Sequence, residues 1–220
     1  MGKKLKVENP LRRAEPKQAS TSRRQLSRWE KERRRRRIIE IVILVTIVAV
    51  LGLIGYGYYN TRIKPWHQPI VKVNDKVFDM SYYVKMLRLW GGDLSGEKLE
   101  EVVVMIERHE LLRQAAKESD INISDDEVEQ ELRDLLSFDP EESEEEFAQR
   151  YQDLLNTLRL SDKDFRQMFI EPMLLEEKLR EQMGETFDQW LEQERTEGEN
   201  NGWIISYLTP EKKTWALLHI

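Results

Sequence analysis

The feature that most constrains this chain is an uninterrupted apolar run near its N-terminus. The 19 residues from Ile41 to Tyr59 (IVILVTIVAVLGLIGYGYY) contain no charged side chain. A helix rises about 1.5 Å per residue, so the run extends over roughly 28 Å, close to the hydrocarbon thickness of a bilayer. The run therefore predicts a single transmembrane helix, which we place at residues 38–59.

Basic residues flank this run on one side only. Residues 1–37 hold 15 Lys and Arg against 4 Asp and Glu, a net charge of +11. Such an excess predicts that this end lies in the cytoplasm and the remainder outside the cytoplasmic (inner) membrane. A cleaved signal peptide would need a shorter apolar run and a small-x-small cleavage site, and the sequence has neither. An uncleaved signal anchor is therefore favoured.

The basic segment 1–37 is expected to be a disordered cytoplasmic tail. Five arginines directly precede the apolar run and are expected to contact the anionic headgroups of the lipid bilayer: Arg33, Arg34, Arg35, Arg36 and Arg37. No nucleic-acid partner is expected, because beyond Trp29 the segment lacks interleaved aromatic residues.

The chain after the apolar run is acidic. Residues 60–220 hold 20 basic against 36 acidic residues, a net charge of -16, which favours basic or neutral partners. Residues 60–69 contain two prolines and predict a stiff juxtamembrane linker. We predict that residues 70–220 form one mainly α domain.

Helix-start signals support that fold class. A hydroxyl residue is followed three positions later by an acidic residue or Gln, the pattern of a capping box, at Ser124, Ser143, Ser161 and Thr186. Apolar residues recur at helical spacing behind each signal. Two earlier helices are predicted from Asp79 to about Trp90 and from about Ser95 to Ser119.

Turn and breaker residues divide these elements. Asn74 and Asp75 separate two short β-prone runs and predict a small β-hairpin at Ile70–Phe78. Two C-terminal segments, GWIISYL (202–208) and TWALLHI (214–220), predict short strands that pair with it. Helix breaks are predicted at Gly91–Asp93 and Pro140, and Pro172 is expected to bend the helix that starts at Ser161.

Residues suited to chemistry are scarce. There are no cysteines, so disulfides and thiol chemistry are excluded. His67, His109 and His219 are isolated in the sequence, and His109 is expected at a helix surface or boundary. Neither an EF-hand nor a glycine-rich phosphate loop occurs. We therefore predict no catalytic residue, no cofactor and no metal site.

Methionine and aromatic side chains are the remaining candidates for function. Methionine adapts its shape and recurs on surfaces that accept many partners. The candidate binding residues are Tyr82, Tyr83, Met86, Trp90, Met168, Phe169 and Met173. The alternative is that these side chains fill the core.

Three segments of the domain also occur in a recognisable order. They are VKVNDKVFDMSYYVKML, IERHELLRQAAKESDINISDDEVEQEL and LRLSDKDFRQMFIEPMLLEEKLRE. Together they resemble the SurA/PrsA family of extracytoplasmic chaperones, and the match covers Pro69 to Met183.

The resemblance implies a SurA N-terminal-type domain whose two terminal segments meet in space. It also implies ATP-independent binding (holdase activity) of unfolded or newly exported polypeptides outside the cytoplasmic membrane. Members often carry a parvulin-type peptidyl-prolyl isomerase domain with paired histidines. In this sequence the residues after Met183 contain a single histidine, His219. Two alternatives remain: an adaptor for one membrane or envelope partner, or a truncated, inactive relative of the isomerase.

Overall fold

The computed structural model describes residues 23–90, 95–136 and 143–220. The helix breaks predicted at Gly91–Asp93 and Pro140 lie outside these residues, as does the part of the predicted tail before residue 23. The chain divides into two compact units, Met1–Gly57 and Tyr58–Ile220.

The first unit contains most of one long helix, α1 (Arg23–Tyr58). By length and composition this helix can cross a membrane, and its apolar stretch is unburied within the chain. Residues 23–37, predicted to be disordered, are helical instead. Arg, Lys, Glu and Gln are good helix formers, and a helix established in the apolar run is extended at little cost.

The segment predicted as a linker is helical as well. Tyr59–Ile63 forms a π-helical turn and Lys64–His67 a 3-10 helix, after which Pro69 begins the first strand. Pro65 occupies the first turn of the 3-10 helix, where its missing N–H leaves no bond unmade. The proline that suggested an extended spacer is thus also compatible with a helix start.

The second unit contains a three-stranded antiparallel sheet with the order β2-β1-β3. The strands are β1 (Pro69–Val73), β2 (Lys76–Asp79) and β3 (Ile204–Ser206). Asn74, with φ 52°, adopts the left-handed conformation that a tight hairpin turn requires. The predicted hairpin is confirmed, as is its pairing with the GWIISYL segment.

Helices make up most of the second unit. They are α2 (Met80–Leu89), α3 (Gly96–Glu118), α4 (Asp125–Leu135), α5 (Glu144–Leu158), α6 (Asp162–Phe165), α7 (Glu171–Met183), α8 (Phe187–Asn201) and α9 (Pro210–Leu217). The predicted capping boxes Ser124–Glu127 and Ser143–Glu146 are both formed. The mainly α fold class is confirmed.

The helix predicted from Ser161 is interrupted. Ser161 caps α6, but a π-helical turn at Arg166–Ile170 separates α6 from α7. Pro172, predicted to bend the helix, lies in the first turn of α7, which tolerates proline. At Thr186 the hydroxyl donates to the Met183 carbonyl at 2.8 Å, so α8 begins there without the predicted cap.

The prediction of a strand in the TWALLHI segment is wrong. Thr209 caps α9 and Pro210 occupies its first turn. Trp215 and His219 stack one helical turn apart with their ring centroids at 3.8 Å. Short apolar runs are compatible with either a strand or a helix, and here the capping residue and proline before the run decide for the helix.

Two apolar clusters form the interior. The first, which we call the sheet core, joins the sheet to α2, α3, α7, α8 and α9. The second, the helical core, lies among α4, α5, α6, the π-helical turn and the start of α7. Leu89 and Ile123 pack against both clusters, so the two cores are continuous.

Candidate functional site

The seven predicted binding residues fall into three groups in the structure. Tyr83 and Met86 are fully buried in the sheet core, and the Tyr83 hydroxyl donates to the Leu99 carbonyl at 2.8 Å. They are three positions apart and lie on the inner face of α2. For these two the core-filling alternative is correct, because a partner cannot reach them in this conformation.

The second group is exposed or partly exposed. Trp90 is 41% exposed and Met173 38% exposed, whereas Phe169 is half-buried. The rings of Trp90 and Phe169 have centroids 5.9 Å apart, and Phe169 contacts Phe165 of the helical core at 5.4 Å. We call Trp90, Phe169 and Met173 the aromatic ridge, because the Trp90 and Phe169 rings lie together and Met173 follows Phe169 by four positions in the chain. Phe169 is itself packed on Phe165.

Tyr82 and Met168 form the third group and line a cleft of about 410 Å³. We call it the edge cleft, because β2 (Lys76–Asp79) forms one wall. The other wall contains Gln167 of the π-helical turn and Glu171 at the start of α7. Met168 itself is only 2% exposed, so its main contribution is to packing.

Arg113 of α3 lines the edge cleft and is bonded to its helical wall. Its guanidinium donates to the Gln167 carbonyl at 2.5 Å and lies 3.7 Å from a carboxylate oxygen of Glu110. A π-helical turn shifts backbone carbonyls out of the regular ladder, and Gln167 presents one of them to Arg113. Arg113 and Glu171 also line a neighbouring cavity of about 420 Å³.

Two polar side chains that line the edge cleft can take further partners. Within the described residues, the Tyr82 hydroxyl donates no hydrogen bond, although Arg113 lies beside it. Burial raises the pKa of Tyr82 above its usual value, so its hydroxyl stays protonated and can donate. Glu171 forms no ion pair with any described residue. These groups leave hydrogen-bonding capacity at the cleft.

His109 is buried, contrary to its predicted surface position. It is 8% exposed within α3, and burial, followed by the nearby Arg113 and Arg108, lowers its pKa to about 3. The imidazole is therefore neutral at pH 7. Within the described parts of the chain, no three His, Asp or Glu side chains are grouped so that they could hold a metal ion.

Sequence reasoning missed Arg113, Glu171 and the open strand β2. One signal was available: Arg113 is a charged residue between the apolar pairs Leu111–Leu112 and Ala115–Ala116. Charge at such a position requires a nearby polar partner, which here is the Gln167 carbonyl. Glu171 carried no comparable signal, because acidic residues are common at helix starts.

Comparison with known proteins identifies the domain. No curated protein and no solved structure matches the chain. The family described as the SurA-like N-terminal domain matches residues 29–180, more than half of the sequence. Helices α8 and α9 and strand β3 follow the matched range, yet their side chains Phe187, Ile204 and Ala216 belong to the sheet core. The chain is a member of the SurA-like N-terminal domain family.

Proposed function

We propose that this protein is a membrane-anchored, ATP-independent chaperone of the holdase type. It binds unfolded or newly exported polypeptides outside the cytoplasmic membrane. The observation that carries this proposal is the aromatic ridge, where Trp90 and Met173 remain exposed on a domain of the SurA-like family. Apolar side chains exposed by unfolded clients would pack against it.

Membrane attachment is part of the same proposal. Helix α1 is long and apolar enough to span a bilayer. The side chains of Arg33–Arg37 are exposed along α1, where they would contact anionic headgroups on the cytoplasmic side. The domain would thus stay close to the membrane face where exported chains emerge.

Weak binding at the ridge suits a holdase. An apolar contact of about 200 Å² contributes at most about 5 kcal/mol. Association itself costs several kcal/mol, so the dissociation constant of such a single contact lies in the millimolar range or above. A client bound this weakly at each contact leaves quickly and can fold between binding events.

The test uses the full chain in lipid nanodiscs, added to several unrelated denatured proteins while light scattering follows their aggregation. The double variant Trp90→Ser/Met173→Ser removes the ridge, and we expect it to suppress aggregation at least about threefold less well, because two contacts are lost. Leu218→Ser is the control, since Leu218 is 77% exposed and lies outside the ridge. Equal activity of the double variant and the wild type would contradict the role of the ridge.

Absence of suppression by folded wild-type protein would contradict the chaperone proposal itself. We assign no enzymatic activity to the protein, and turnover of a proline-containing peptide by the wild type would show that assignment to be wrong.

A further inference from the structure

Strand β2 presents an open edge to the edge cleft. Val73 and Lys76 flank the two-residue turn and form a hydrogen-bonded pair, in which the N–H of each residue donates to the C=O of the other. Val77, opposite Lys72, therefore directs its N–H and C=O away from β1. Among the described residues, no other element bonds to these two groups. An open edge of this kind is a template for another extended chain.

The cleft lies along this open edge. Residues Lys76–Asp79 line it on the sheet side, and Gln167 and Glu171 line it on the helical side. An extended segment placed beside β2 would thus have polypeptide on both sides. The Tyr82 hydroxyl, buried at the cleft beside Arg113, donates no hydrogen bond within the described chain and offers a further donor.

Most charges in the cleft are already compensated. Asp164 pairs with Lys85 at 2.8 Å, one oxygen of Asp79 caps the backbone of Tyr82, and Arg113 is held by Gln167 and Glu110. Lys76 stands over the Phe78 ring, 5.6 Å from its centroid.

Glu171 is the carboxylate that the described residues leave without an ion pair in this cleft. The net charge of -16 over residues 60–220 acts in the same direction, because it attracts positively charged segments. Lys76 also lines the cleft without a carboxylate partner among the described residues, but its ammonium group is turned to the Phe78 ring. Glu171 and the net charge of the domain therefore favour an occupant with a basic side chain.

We propose that the edge cleft binds an extended segment of a client polypeptide as a fourth strand on β2, with a Lys or Arg of the client paired to Glu171. This inference rests on the proposed chaperone function and deepens it. The aromatic ridge would bind apolar side chains, whereas the edge cleft would bind the backbone, which all unfolded clients share.

The first test measures peptide binding to the full chain in nanodiscs by fluorescence anisotropy. The probe is a fluorescein-labelled hexapeptide of alternating Val and Thr with one central Arg. Val77→Pro removes the outward N–H and leaves the bonds to β1 intact, since edge positions of this kind tolerate proline. We expect about fivefold weaker binding from one lost hydrogen bond. Val77→Thr keeps the N–H and should bind as the wild type does.

The second test addresses the charge. Glu171→Gln should weaken binding of the Arg probe about threefold, as expected for a partly exposed ion pair. It should not weaken binding of a probe with Gln in place of Arg. Glu177→Gln is the matched control, because Glu177 is exposed on the same helix.

The outcomes separate this inference from the chaperone proposal. If the wild type suppresses aggregation but Val77→Pro and Glu171→Gln bind the probe unchanged, the edge cleft is not the site and the chaperone proposal stands. If the wild type suppresses no aggregation, the chaperone proposal fails first. If circular dichroism shows that Val77→Pro is unfolded, the test is made with the wild type instead. Its binding of the original probe is compared with its binding of a probe whose backbone is N-methylated, and equal binding of the two probes would overturn the proposal.

Discussion

The sheet core and the helical core are built in different ways. The helical core draws on residues between Val128 and Leu174, which are close in sequence and separated by well-capped helix starts. The sheet core joins Ile70 of β1 to Ile204 of β3 and Ala216 of α9. Local signals therefore specify one core, whereas the other depends on contacts between distant segments.

The largest expected effect tests whether the C-terminal segment is integral to the sheet core. Phe187 of α8 is fully buried, so Phe187→Ala should lower the free energy of unfolding by about 3–5 kcal/mol. Urea unfolding of the full chain in detergent, followed by tryptophan fluorescence, measures this loss.

Phe147→Ala is the counterpart in the helical core, where Phe147 is also buried. Hydrogen exchange should show faster opening of α3 and the sheet in Phe187→Ala, and of α4 and α5 in Phe147→Ala. A loss below about 1 kcal/mol for Phe187→Ala would mean that α8 is peripheral to the fold.

A pH effect of intermediate size is expected from His109 in α3. Its pKa is lowered to about 3, so between pH 6.5 and 3 the unfolded chain binds a proton that the folded chain does not. The contribution of His109 to the free energy of unfolding therefore falls as the pH is lowered, by about 2 kcal/mol between pH 7 and pH 5. Between pH 7 and pH 5, the free energy of unfolding of His109→Asn should therefore fall by about 2 kcal/mol less than that of the wild type.

Phe147→Ala is the control for this measurement, because it destabilises the fold without removing a titratable group. Its unfolding should keep the wild-type dependence on pH. Identical pH profiles for His109→Asn and the wild type would contradict the buried neutral state of His109.

A smaller effect is expected where α8 crosses β3. A Cβ atom on Gly198 would lie 2.5 Å from the Ile204 Cδ1 atom and 2.8 Å from the Trp203 ring. Gly198→Ala should therefore destabilise the chain by about 1–2 kcal/mol, although alanine is the better helix former. Gly96→Ala in α3 meets no atom within 4 Å and should be stabilising in the same urea experiment. Stabilisation by both substitutions would show that α8 and β3 are packed loosely.

The smallest effect concerns the helix caps of the helical core. Ser124 accepts a hydrogen bond from the Glu127 N–H at 3.3 Å, so Ser124→Ala should cost about 1 kcal/mol. Ser95 begins α3 without a side-chain cap, so Ser95→Ala should cost less. Equal losses for the two variants in urea unfolding would mean that the capping box adds little to α4.

The same contrast explains what the sequence predicted. Capping boxes involve residues three apart, so the starts of α4 and α5 were correctly predicted, as was the turn at Asn74. The burial of Tyr83, Met86 and His109 depends on which element covers each face, and helical spacing does not contain that information. The residues of the aromatic ridge could be named from their side-chain types alone. The edge cleft could not be predicted in that way, because it depends on contact between β2 and the π-helical turn, which are far apart in the sequence.

The order of the sheet has a consequence for how the domain folds as the chain is synthesised. Strand β1 lies between β2, its immediate successor, and β3, which follows helices α2 to α8 in the sequence. One side of β1 therefore stays unpaired until nearly all of the domain has been synthesised, and such non-local pairing is slow. For that interval the nascent domain exposes its own strand edge and the apolar side chain of Ile70, so it is most prone to aggregation before β3 arrives.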